Sequence, residues 1–179
     1  MPIIQRSPSR MTDYFYYFVI YCDTPESPDN AVRLRGYSES VSGLNLNLKN
    51  KGEYQYLDEW LSFSEGIANN YILYTSSTHV DRVFTDYTAG NYFGIIGTLS
   101  DGRIAKIAQG FQCFNCNFYR MDVFSAFIIN NGARNTKMKI YRKHINEFES
   151  PNEATDELVA TSTGTVDLTT VDTRYSYYF

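Results

Sequence analysis

Two histidines, one tryptophan, three cysteines and five prolines are all this chain has of the residues that most often mark chemistry or break structure. His79 and His144 are too few for a histidine-built centre. His79-Val80-Asp81 would set an imidazole and a carboxylate on one face of a strand, but no further ligand or nucleophile stands near them in sequence. Both histidines read as solvated residues at the ends of loops.

The cysteines exclude a second class. Cys113 and Cys116 form a CxxC and Cys22 stands alone, an odd number that builds no disulfide framework. A structural zinc site takes four ligands, usually as two pairs, and only one pair exists here. If Phe111–Tyr119 is a strand, Cys113 and Cys116 also point to opposite faces, which opposes both a chelate and a bridge. The expectation is buried thiols, with no metal and no cofactor.

Proline occurs at positions 2, 8, 25, 28 and 151, and is absent from 29 to 150. A continuous hydrogen-bonded sheet requires such an absence, because proline offers no N–H to a ladder. A basic excess is also missing: 16 Lys and Arg stand against 20 Asp and Glu, a formal net charge of −4, whereas a nucleic-acid surface normally carries such an excess. The longest apolar run near the start, Tyr14–Tyr21, is too short to span a bilayer, and MPIIQRSPSR holds no secretory h-region. The expectation is a soluble protein without a signal peptide, in a virion or the cytoplasm.

Local catalytic signatures are absent too. There is no glycine-rich phosphate loop, no Walker lysine, no HExxH and no GxSxG. Carboxylates collect in Asp23–Asp29 and Glu147–Asp156, where they are expected to be simply solvated.

What remains is abundant aromatic and β-branched sequence, with 16 tyrosines and 12 phenylalanines, which favours strands. Its centre is Gly90–Ile129. Asp101-Gly102 lies between two apolar runs and is the dipeptide that a type I′ hairpin turn prefers. The spacing predicts Asn91–Ser100 paired with Arg103–Gln109, Ser100 opposite Arg103, apolar on both faces. The glycines at 90, 94, 97 and 102 would serve a bulge, a bend or the turn itself.

Along the chain, Met1–Met11 reads as an extended polar arm and residues 12–179 as one domain. Asp13–Cys22, Val32–Tyr37, Ser42–Leu48, Tyr71–Ser76 and Val80–Tyr87 read as strands, and Asp23–Asn30 as a loop. Tyr54, Leu57, Trp60 and Leu61 recur at helical spacing, so a short helix is expected over Glu53–Phe63, anchored by Trp60. Phe111–Tyr119 and Met121–Ile129 read as one bent strand or as two. Lys137–Lys143 places Met138, Ile140 and Arg142 on one face and three lysines around Tyr141 on the other, the look of a protected sheet edge. Leu158–Ser162, Thr165–Val171 and Arg174–Phe179 are closing strands.

The whole is roughly ten to twelve strands at the spacing of an all-β antiparallel sandwich of jelly-roll or Greek-key type, with a closed barrel second. In composition and strand rhythm the chain resembles small viral jelly-roll and tail-fibre domains. The first functional expectation is a non-enzymatic structural subunit of a virus or phage particle (capsid, decoration or fibre type). Its partners would be copies of itself or other subunits, met through Arg6 and Arg10 of the arm and Tyr175, Tyr177 and Phe179 of the aromatic end. The alternative is a carbohydrate- or receptor-binding module, with a glycan or cell-surface receptor as partner, and after it a polysaccharide hydrolase.

Overall fold

The aromatic run Tyr14–Cys22 forms strand β1, apolar on both faces because it lies inside a sheet that is covered on both sides. Tyr16, Phe18, Ile20 and Cys22 enter the main core, while Tyr17 and Val19 join a smaller cluster with Ala108 and Tyr141. This arrangement comes from a computed structural model that describes residues 14–23, 30–38, 52–56, 59–62, 67–69, 71–84, 91–98, 104–111, 117–144 and 151–179. The arm Met1–Met11, the strand expected at Ser42–Leu48, and Cys113 and Cys116 lie outside these residues.

After β1 come β2 (Ala31–Ser38), β3 (Gly52–Tyr56), β4 (Glu59–Ser62), β5 (Ile67–Asn69), β6 (Tyr71–Tyr74), β7 (Val80–Phe84) and β8 (Asn91–Thr98). The chain continues through β9 (Ile104–Ala105), β10 (Ile107–Phe111), β11 (Arg120–Ile129), β12 (Ala133–His144), β13 (Glu157–Thr161), β14 (Val166–Leu168) and β15 (Arg174–Tyr178). All pairings among them are antiparallel. One sheet runs β13-β12-β1-β10-β3-β4, with β14 also on β12. The other runs β7-β6-β11-β2-β8-β9, with β15 on β11 and β5 on β2. The two share one core, since Phe18, Ile107 and Ile140 of the first cluster with Leu34, Leu73, Ile96 and Met121 of the second. The fold is all-β and sandwich-like, as the strand spacing implied.

The segment Glu53–Phe63 corrects the helix expectation. β3 and β4 form a hairpin instead, with Tyr54 opposite Leu61, Gln55 opposite Trp60 and Tyr56 opposite Glu59. Helical spacing over so short a stretch is weak, because an isolated helix below about 12 residues barely holds in water. The aromatics favour a strand, and β10 offers one side of β3 a ladder, Ile107 opposite Tyr54.

The expected turn Asp101-Gly102, with Ser100 and Arg103, lies outside the described residues, but the strands beside it are corrected in register and extent. Gly97 pairs with Ala105 and Thr98 with Ile104, one residue away from the register that sets Ser100 opposite Arg103. Pairing with β8 then stops at Ala105, and β10 crosses to the other sheet beside β1. Ile96 and Ile107 still meet in the shared core. The β8 glycines act as expected of a bulged strand. The β2–β8 register shifts between the Val32 and Leu34 pairings, and Gly97 has φ of 140°. A Cβ at Gly97 would lie 2.2 Å from the Asn30 carbonyl oxygen, so the close approach of β2 requires glycine there.

β12 is not an edge. It lies between β1 on one side and β13 and β14 on the other. Its lysines are tolerated because each has a local partner. Lys137 pairs with Asp23 at 2.9 Å, Lys139 lies 4.8 Å from the Tyr21 ring centroid, and Lys143 reaches Asp156 at 3.3 Å. The segment at 151–156 is likewise more than a solvated loop. Tyr17 donates to Asp156 Oδ2 at 2.7 Å, and Lys106 pairs with Glu153 at 2.8 Å, so this acidic stretch straps the outer face of the first sheet.

Candidate functional site

The aromatic end expected to make contacts is the last strand of the second sheet. β15 lies along β11 from Arg120 opposite Tyr178 to Phe124 opposite Arg174. β6 flanks the same half of β11, with Tyr74 opposite Arg120 and Ile72 opposite Asp122. Side chains alternate across a strand, so these three strands sort their residues into two faces. Leu73, Met121 and Tyr177 fall in the inner rows, together with Tyr71, Val123 and Tyr175.

Tyr177 is therefore core. It is fully buried, and its hydroxyl shares a 2.6 Å hydrogen bond with Thr136, which also donates to the Val166 carbonyl at 2.6 Å. Tyr175 packs against the core, and its hydroxyl accepts from the Thr169 and Thr170 N–H groups at 3.0 and 2.7 Å, holding the turn before β15. Phe179 is partly buried against Phe118, their centroids 6.4 Å apart. Arg6 and Arg10 lie outside the described residues.

The outward rows hold what the sequence reading passed over. Tyr74, Arg120 and Tyr178 form one row, and Ile72, Asp122 and Ser176 the next. Asp122 has no exposure although it points away from the core. Arg120 Nε lies 3.0 Å from its Oδ1, and Arg174 Nε 3.6 Å from its Oδ2. Neither carboxylate oxygen takes a well-aligned hydrogen bond, so the two guanidinium charges chiefly offset its burial. The Arg120 guanidinium carbon sits 3.7 Å from the Tyr74 ring centroid and 5.9 Å from that of Tyr178. Burial works to lower the Arg120 pKa, but its bonding to Tyr178 and the charge of Asp122 outweigh burial and raise it. Tyr178 also meets Tyr119 edge-on at 5.9 Å and 89°. This cluster was legible only once β6, β11 and β15 were known to be neighbours.

A second surface is the free side of β13. Among the described residues β13 is hydrogen-bonded to β12 alone. Its register shifts between Ile140 and Tyr141, whose partners are Ala160 and Leu158, leaving Val159 as the extra residue of a bulge. Leu158 is 50% and Val159 38% exposed.

No group of three or more metal-ligating side chains occurs among the described residues, and His79 is exposed. Cys22 is buried at the core end of β1. No helix among them is long and apolar enough to cross a membrane. No protein-family model matches the chain, and neither a curated protein nor a solved structure does.

Proposed function

We propose that the chain is a non-enzymatic structural subunit of a virus or phage particle, acting through contacts with copies of itself or other subunits. The observation that carries this reading is strand β13, whose adjacent Leu158 and Val159 are 50% and 38% exposed on a side of the first sheet that no further strand among the described residues covers. Apolar side chains at an open strand invite a partner that buries them. The Val159 bulge disfavours strand-on-strand growth and leaves side-chain packing as the mode of contact.

A jelly-roll or Greek-key plan suits such a subunit. β12, β1 and β10 are consecutive neighbours in one sheet, and β11, β2 and β8 are consecutive neighbours in the other. The chain crosses between sheets from β1 to β2, β2 to β3, β4 to β5, β9 to β10, β10 to β11, β11 to β12 and β14 to β15. Repeated crossing of this kind supports the reading of a ribbon folded across two layers. In this reading residues 12–179 are one domain and Met1–Met11 an arm that reaches a neighbour.

Light scattering on the full chain, on a chain lacking Met1–Met11, and on Leu158→Lys/Val159→Lys tests this. Assembly is expected in the full chain, weakened by removal of the arm and by the lysines. A monodisperse monomer throughout would sink the reading.

A second reading, a carbohydrate- or receptor-binding module, is favoured by the Tyr74–Arg120–Tyr178 row, with Tyr178 44% exposed. Exposed aromatic rings offer apolar faces to sugars, beside polar groups that fix orientation. A glycan array on the full chain tests it, and the absence of any Tyr178-dependent signal would exclude it.

A further inference from the structure

We infer that the outer face of β6, β11 and β15 binds an acidic saccharide, a sugar carrying a carboxylate or sulfate, with Arg174 holding the oxyanion and Tyr178 the ring. This rests on the second reading above and names its ligand class.

Charge balance is the starting point. Asp122 supplies one negative charge and Arg120 and Arg174 two positive ones, so the cluster carries one unit of positive charge in a chain of net charge −4. Arg120 is committed: its Nε faces Asp122, its plane lies over Tyr74, and its side chain is only 19% exposed. Arg174 is not. Its side chain is 55% exposed, and its one polar contact among the described residues is Nε to Asp122 at 3.6 Å. The outer fork of the guanidinium is left for a planar or tetrahedral oxyanion, which it grips through paired N–H groups. Asp122 orients that fork from below and cannot neutralise both cations.

The aromatic half completes the site. Tyr178 and Tyr119 meet at 89°, making a corner in which one ring offers a face and the other a wall. Perpendicular rings suit a single sugar unit better than a flat row of stacked units. Ser176 lies between Arg174 and Tyr178 on the same face of β15, a hydroxyl within the run of the ligand. Four residues along a strand span about 13 Å, so the anion and the stacked ring belong to different units of a disaccharide or longer chain. A bare anion would leave the tyrosine corner unused. A neutral sugar would leave the outer fork of Arg174 without a partner.

The test is calorimetric titration of the full chain with sialyllactose, a sulfated chondroitin disaccharide, lactose and sodium sulfate. One of the two acidic sugars is expected to bind at least about tenfold more tightly than lactose and than sulfate alone. Arg174→Gln and Tyr178→Ala are each expected to weaken that binding by about tenfold or more, with unchanged circular dichroism, and Arg174→Lys by less. Added salt should weaken it too, because an exposed ion pair is screened. Equal affinity for lactose would overturn the acidic assignment while leaving a sugar site standing. Equal affinity for sulfate alone, full affinity in both substituted chains, or no binding of either acidic sugar would overturn the inference outright.

Discussion

Tyr17 donates a 2.7 Å hydrogen bond to Asp156 across 139 residues of sequence, tying the central strand β1 to the strap over its outer face. The same carboxylate oxygen accepts from the Asn152 N–H at 2.9 Å and from Lys143 Nζ at 3.3 Å. The Lys143 and Asp156 side chains are only 4% and 5% exposed, so this ion pair is shielded from water. Asp156→Ala would take the acceptor from Tyr17 and from the Asn152 N–H and the carboxylate from a buried ammonium, a loss of up to about 3–5 kcal/mol. Asp156→Asn should cost less, since an amide oxygen still accepts from Tyr17. Urea unfolding checks this, and an alanine variant as stable as the parent would show that the strap does not hold the sheet.

The buried phenols set an alkaline limit. Burial raises the pKa of Tyr17, with the Asp156 hydrogen bond adding to it, and burial raises Tyr141, with the charge of Glu153 adding. Burial also raises Tyr177, outweighing the opposing bond to Thr136. Each phenol is held above its unfolded value, so the stability it contributes is fully present below about pH 10. Above that, the unfolded chain releases protons that the folded chain keeps, and stability falls as pH rises. Tyr177, closed to solvent, sets a slope of about 1.4 kcal/mol per pH unit. Tyr17 and Tyr141, raised in the same direction, add to the fall. Phenolate absorbance against pH should show these three of the 16 tyrosines ionising only as the chain unfolds. Full titration of every tyrosine in a chain that stays folded would contradict it.

What the sequence made legible was alternation. Val32 and Leu34 are buried and Arg33 and Arg35 only partly so, as period two requires, and Met138 and Ile140 face the core while the lysines of β12 do not. What stayed hidden depends on which strands are neighbours. The lysines of β12 looked like edge protection because their partners, Asp23, Tyr21 and Asp156, lie in other parts of the chain. Asp122 lies within Met121–Ile129, which the sequence marked only as a strand, and its place between Arg120 and Arg174 made it part of a site. In Arg174–Tyr178 the composition was visible but the facing was not. Pairing with β11 sends Tyr175 and Tyr177 inward and Tyr178 outward. The helical spacing over Glu53–Phe63 misled because local periodicity in a short aromatic segment yields to a sheet that offers it a partner.

Gly97 tests the junction on which the corrected hairpin depends. Its φ of 140° lies where side-chain-bearing residues are strained, and an added Cβ would meet backbone, the Asn30 oxygen at 2.2 Å and the Ala31 Cα at 2.6 Å. The neighbouring Thr98 N–H donates to that same Asn30 oxygen at 2.9 Å, so β2 cannot move away without losing the bond. Gly97→Ala should therefore cost at least about 1–3 kcal/mol for the backbone conformation alone, with the overlap added. By contrast, a Cβ at Gly164 meets nothing within 4 Å, and Gly164→Ala should change stability by less than about 1 kcal/mol. Thermal and urea unfolding of the two alanine variants side by side decides it. Equal stabilities would mean that β8 does not approach β2 so closely and that the register Gly97 opposite Ala31 is mistaken.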